Sequence, residues 1–132
     1  MKIIILLILI HVCYSNVKTT TRRYQSKTIE ESINTVIEDL RTHSVMLYSK
    51  TYCPYSIKLR RILSKFEIKD LKVVELDKVE NMSEIQRFLK TLSGRSTVPQ
   101  LYIVGKFIGG HDEIKAMDDD GKLLPMLEGG NN

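Results

Sequence analysis

Apolar and polar positions divide this chain into an uninterrupted stretch, a polar stretch and a long periodic region. Residues 3–10 are apolar without a break, behind Met1 and Lys2. Residues 16–27 are polar, basic and threonine-rich, with no apolar period. From Thr28 onward the spacing becomes regular. Ile29, Ile33, Val36, Ile37 and Leu40 recur at helical intervals, and Thr28 with Glu31 has the form of a capping box, so a first helix is predicted to start there. Residues 45–49 form a short apolar run of strand type. Ile57, Leu59, Ile62, Leu63 and Phe66 mark a second helix over 54–66, with Lys58, Arg60, Arg61 and Lys65 exposed. A second strand is read at 71–76. Ile85, Phe88, Leu89 and Leu92 set a third helix over 82–92, ended by Gly94 as C-cap. Two strands at 99–104 and 107–109 flank a tight turn placed at Gly105-Lys106. A fourth helix over 111–118 and a short last one over 122–127 complete the chain.

This order contains a β-α-β unit followed by a hairpin and helix. Its crossover is right-handed and joins parallel strands. The fold class is therefore α/β: a four-stranded mixed sheet with helices on both faces, of thioredoxin-like type.

Length and charge narrow the picture. With 132 residues the chain holds one domain. Its net charge of +4 is spread along the sequence rather than gathered in a stripe, so no nucleic-acid partner is expected. Lys2, the apolar run and the small residues Cys13 and Ser15 have the layout of a secretory signal peptide cut after Ser15. The run is shorter than the roughly 20 residues that span a bilayer. The expected organisation is a signal peptide (or short anchor) at 1–15, a disordered basic stalk at 16–27 and a folded domain at 28–132. The expected location is the lumen of the secretory pathway (endoplasmic reticulum or Golgi) or outside the cell. Membrane attachment is expected only if the leader is retained. Asn81-Met82-Ser83 is an N-glycosylation sequon, and Asn81 with Glu84 also reads as a helix cap.

Removing the leader leaves one cysteine, Cys53, where a disulfide-stapled secreted domain would carry an even set. Cys53 lies between the first strand and the second helix, with Pro54 at the first helical position, where its missing N–H costs nothing. The unpaired N–H groups and positive end of a helix favour thiolate over thiol, and Lys50 adds a positive charge nearby. Ser56 stands where a Cys-X-X-Cys motif has its second sulfur, and serine cannot close a disulfide. Redox chemistry here must borrow its second sulfur from a small thiol.

Cys53-Pro54-Tyr55-Ser56, Thr97-Val98-Pro99 and Gly109-Gly110-His111-Asp112 occur in the order and spacing of the glutaredoxins. Over residues 28–128 the chain resembles a monothiol glutaredoxin of the dithiol-like Cys-Pro-Tyr-Ser type, similar to secretory-pathway members and without the Cys-Gly-Phe-Ser motif of the other monothiol branch. The resemblance implies a glutathione-disulfide oxidoreductase in which Cys53 is the nucleophile. It implies that Lys50 and Gln86 hold the glycine carboxylate of glutathione and that Tyr55 lines the groove. Thr97, Val98 and a cis Pro99 would present main chain to the tripeptide, and Gly110, His111 and Asp112 would receive its γ-glutamyl end. One departure stands out: Ser96 occupies the place where the family often has arginine, and Arg95, one residue earlier, is expected to point to the opposite face.

Three readings follow. The first is reduction or formation of protein–glutathione mixed disulfides, with glutathione and glutathionylated proteins as partners and a monomeric chain. The second is a dimer bridging a [2Fe–2S] cluster through Cys53 and glutathione, Cys53 then being a metal ligand. The third is a non-catalytic module that traps thiols. No other metal ligand is expected.

Overall fold

The computed structural model describes residues 2–129, without the side chains of Lys2, Ser26 and Lys27. Helix α1 (Lys2–Thr42) leads into strand β1 (Val45–Ser49), helix α2 (Pro54–Leu63) and strand β2 (Leu71–Glu75). A single 3-10 turn (Leu76–Lys78) precedes helix α3 (Met82–Ser93). Strands β3 (Gln100–Ile103) and β4 (Lys106–Gly109) and helices α4 (His111–Asp119) and α5 (Leu123–Gly129) follow. The sheet order is β2-β1-β3-β4, with β1 parallel to β2 and antiparallel to β3, and β3 antiparallel to β4. This is the thioredoxin-like arrangement expected from the element order.

Side-chain alternation along β1 builds two cores from one strand. Val45 and Leu47 pack with Leu59, Ile62, Leu63, Leu101, Ile103, Ile114, Leu123 and Leu127, under α2, α4 and α5. Met46 and Tyr48 face the other way, onto Val36, Leu76, Ile85, Leu89 and Tyr102, under α1 and α3. β1 is buried along its whole length, which explains why its sequence is apolar from Val45 to Tyr48 rather than alternating. Cys53 follows this central, fully buried strand.

Several sequence expectations shift. Residues 16–27 lie in the continuous helix α1 rather than in an irregular stalk. Thr19, Thr20 and Thr21 each return the hydroxyl to the carbonyl four residues back, at 2.9 Å. Thr28 does the same to Tyr24, at 3.0 Å, so it lies inside the helix and caps nothing. Where α1 meets the domain, the buried positions are Ser32 and Val36, while Ile29 and Ile37 stay exposed. Along residues 3–25 every position is exposed, and the segment from Ile3 is long and apolar enough to cross a membrane.

The second helix stops at Leu63, because the Lys65 and Phe66 amides turn to carbonyls three residues back and tighten the last turn. The hairpin turn is also one residue earlier than expected. Ile103 pairs with Lys106, so Val104 and Gly105 form the turn, with φ of 48° and 71°. A turn with positive φ at both central positions matches the twist of the flanking strands, and that demand overrides the poor fit of valine. Asn81 precedes α3 without a side-chain capping bond, contrary to the capping alternative. Gly94 ends α3 in the left-handed region, at φ 75°, as its sequence position predicts.

Candidate functional site

The residues around Cys53 are held from three directions. Cys53 is the N-cap of α2, in extended conformation, and Pro54 occupies the first turn. Its N–H donates to the Lys50 carbonyl at 3.1 Å, and its carbonyl accepts the Ile57 N–H at 3.0 Å. Thr51 is tied by both N–H (2.9 Å) and hydroxyl (2.5 Å) to Asp77 in the 3-10 turn. These two bonds hold the Asp77 carboxyl below its ordinary range and fix the loop that delivers the cysteine. Asp77 was not singled out in the sequence, where nothing distinguishes it from a solvated charge.

Burial of the half-exposed Cys53 thiol pushes its pKa up. The Ser56 hydroxyl, the Ser56 and Tyr55 amides and the Lys50 charge act against that, and the net direction is down. Ser56 is fully buried. Its hydroxyl also accepts a long bond from the Lys50 N–H, at 3.4 Å. The serine in the place of a second sulfur is therefore a fixed polar support for a thiolate. The thiol itself donates toward the Val98 carbonyl, at 3.8 Å.

Val98 precedes a cis Pro99, as the resemblance implies. Both residues lie ahead of the β1–β3 ladder, whose first pair is Tyr48 with Gln100, so the main chain of Val98 is outside the sheet pairing. A groove of about 310 Å³ opens beside it, lined by Tyr55, Arg95, Thr97, Val98, Pro99 and the Gly110–Glu113 stretch. The Tyr55 and His111 rings meet at 5.5 Å and close one wall. His111 bonds Asp112 at 2.7 Å. Beyond the groove, Lys50 Nζ donates to Gln86 Oε1 at 3.3 Å, and Gln86 Nε2 donates to the Ser96 carbonyl at 2.8 Å. Of the residues singled out in the sequence, Tyr55, Thr97, Val98, Pro99, Gly110, His111 and Asp112 line this groove, Cys53 stands beside it at the Val98 carbonyl, and Lys50 and Gln86 pair with each other outside its lining.

Two lining residues escape the sequence reading. Arg95 was expected on the far face, as a residue displaced along a strand. Residues 94–99 form no strand, so that alternation does not apply, and Arg95 lines the groove over the Phe107 ring. It pairs with Glu113, whose other oxygen accepts the Gly110 N–H at 2.9 Å. The Arg95 bond leads in holding the Glu113 carboxyl down at about 2. The signal available in the sequence was Glu113 three residues after the helix start, the second half of a capping box. Gly109 leaves room for this arrangement, since a Cβ there would stand 2.6 Å from the Glu113 Cβ.

The groove offers N–H groups at the α4 start and Val98 main chain outside the sheet pairing, with the Lys50–Gln86 pair beyond it. That set fits a short peptide carrying a carboxylate at each end. Among the described residues no three His, Cys, Asp or Glu side chains converge as a metal site.

A family model for glutaredoxin matches residues 45–108. A Caenorhabditis elegans protein described as an uncharacterised monothiol glutaredoxin is 50% identical over 108 residues, 82% of this chain and 74% of that one. Glutaredoxin-C2 of Arabidopsis thaliana is 41% identical over 90 residues, 68% of this chain and 80% of its own. Among solved structures, a buckwheat glutaredoxin–glutathione complex matches with a TM-score of 0.74 at 28% identity, covering 80% of this chain and 94% of that one.

Proposed function

This chain belongs to the glutaredoxin family, and on that footing we propose that it is a glutathione-dependent thiol–disulfide oxidoreductase of monothiol type. The observation that carries the reading is the Cys53 thiol, lowered in pKa at the start of α2, with its sulfur beside the Val98 carbonyl at the mouth of the groove. The buckwheat relative was solved as a complex with glutathione, which supports the same ligand here.

In the proposed cycle the tripeptide lies along the main chain of Val98. Its γ-glutamyl carboxylate meets the amides at the start of α4, its ammonium meets Asp112, and its glycine carboxylate meets Lys50 and Gln86. The Cys53 thiolate attacks the glutathione sulfur of a protein–glutathione disulfide. A Cys53–glutathione bond forms as the mixed disulfide breaks, and the protein thiolate leaves and takes a proton. A second glutathione thiolate attacks that new bond. It releases glutathione disulfide and returns Cys53 as thiolate. No net electrons remain on the enzyme, and Ser56 cannot intervene, having no sulfur.

The test is reduction of a glutathionylated peptide by the full chain, with Cys53→Ser and Ser56→Ala beside it. Cys53→Ser should abolish turnover. Ser56→Ala should keep most of it while moving the Cys53 titration upward, because a hydroxyl that favours the thiolate is gone. Turnover that survives Cys53→Ser refutes the reading. Stoichiometric trapping without turnover favours the thiol-trap alternative, and colour after anaerobic purification with glutathione favours the cluster-bridged dimer.

The location we propose is the secretory lumen. Its support is the exposed apolar start of α1 together with the uncapped Asn81 of the sequon. A glycosidase-sensitive mass shift, absent in Asn81→Gln, is the expected result in a secretory host. An unshifted chain opposes it.

A further inference from the structure

Three consecutive main-chain carbonyls beside the groove, those of Arg95, Ser96 and Thr97, are each taken by a glutamine amide. Gln86 reaches the middle one from α3. Gln100 takes the other two at once: its Nε2 donates to the Arg95 carbonyl at 2.9 Å and to the Thr97 carbonyl at 3.0 Å. Its remaining atom, Oε1, accepts the Tyr102 hydroxyl at 2.8 Å. Every polar atom of this side chain is therefore satisfied, inside a residue only 1% exposed. The choice of Nε2 and Oε1 follows from the partners: two carbonyls need a donor, and the phenol supplies one.

Burial raises the Tyr102 phenol to about 12, so it stays a donor across the physiological range. Tyr102 is itself clamped between the rings of Tyr48 and Phe107, at 5.8 and 5.4 Å. A rigid element of β3 thus reaches back by one side chain to a loop that has no strand pairing of its own. That loop carries Arg95, Thr97 and Val98 into the groove.

We infer that Gln100, seated on the Tyr102 hydroxyl, is a positioning residue for glutathione: it fixes the residue 95–98 loop so that the main chain of Val98 faces the incoming tripeptide. This inference rests on the functional reading above. Of the groups that favour the Cys53 thiolate, Ser56 and the Tyr55 amide are carried by α2, and Lys50 reaches the loop through Gln86 on α3 rather than through Gln100. Loss of the Gln100 bonds should therefore weaken substrate capture while leaving the nucleophile alone. A residue that merely stabilises the fold would change neither property once the protein is folded at the assay temperature.

The experiment uses the full chain and a glutathionylated peptide. In Gln100→Leu the apparent KM for the peptide should rise about five- to tenfold, as expected for two lost bonds, with kcat within about twofold. The Cys53 titration, followed by thiolate absorbance, should not move. Tyr102→Phe keeps the buried ring and loses only the bond to Oε1. It covers the case in which Gln100→Leu does not fold, and its KM should rise about twofold. Unchanged KM in either folded variant overturns the inference, as does a fall in kcat at constant KM or a displaced Cys53 titration. A wild-type chain without turnover overturns both this inference and the functional reading. A wild-type chain that turns over beside a Gln100→Leu variant of unchanged KM overturns this inference alone.

Discussion

Glu113→Gln isolates one charge that serves both the fold and the groove. Glu113 joins the Arg95 guanidinium to the Gly110 N–H, and this holds its carboxyl at about 2 against an ordinary 4.5. Taken at face value, that gap corresponds to roughly 3 kcal/mol. The pair is too open for that figure to stand, since the Arg95 and Glu113 side chains are 45% and 38% exposed. Solvent screening at such exposure leaves about 1 kcal/mol. A carboxyl whose folded pKa is depressed contributes stability above its unfolded value and loses it as pH falls through the folded one. The contribution should be complete above about 4.5 and gone near 2. Glutamine keeps the size and one acceptor and removes the charge. Urea unfolding midpoints at pH 7, 4.5, 3 and 2 should show the wild type ahead by about 1 kcal/mol at neutral pH, with the difference closing towards pH 2. Other depressed carboxyls, Asp70 and Asp77 among them, titrate in both proteins and cancel in the comparison. A difference that stays constant from pH 7 to 2, or that is absent at pH 7, refutes the reasoning.

Two further substitutions probe backbone geometry. Val104→Asn should stabilise the chain by about 1 kcal/mol, near 4 °C in Tm, because valine at φ 48° is strained and asparagine tolerates that region. A lower melting temperature in thermal unfolding would contradict this. Gly109→Ala should cost about 2 kcal/mol or more in urea unfolding, since its Cβ would meet the Glu113 Cβ at 2.6 Å on a helix anchored in the core by Ile114. A cost under about 0.5 kcal/mol would show that α4 yields.

Much of this was legible before any coordinates. The sheet's layers follow from the apolar run of β1 and the helical spacing in α2 and α3, signals that survive because packing and pattern agree. The place of the groove was legible because its motifs sit at element ends: Cys53 before a proline, Gly110 before an acidic first turn. The misplaced features all depend on contacts remote in sequence or on backbone torsion. The hairpin is fixed by the pairing of Ile103 with Lys106, which overrides the preference of valine against positive φ. Arg95 lies ahead of β3, where strand alternation does not apply, so its direction is set by its pairing with Glu113. The role of Gln100 is invisible in a run that reads as an ordinary strand start, because its partners are carbonyls. Helix α1 shows the reverse: threonine-rich sequence reads as irregular, yet each hydroxyl can turn back onto its own helix.

The buried Ser56 carries a last consequence. On the proposed cycle, a cysteine in its place could displace the bound tripeptide by closing an internal disulfide, which an outside reductant would then have to open. With a hydroxyl there, the loaded form of that cycle would last until a free tripeptide arrives. The share of molecules carrying adduct at any moment would thus register how much reduced tripeptide is present. Chemistry that forgoes its own escape route becomes a gauge of the medium around it.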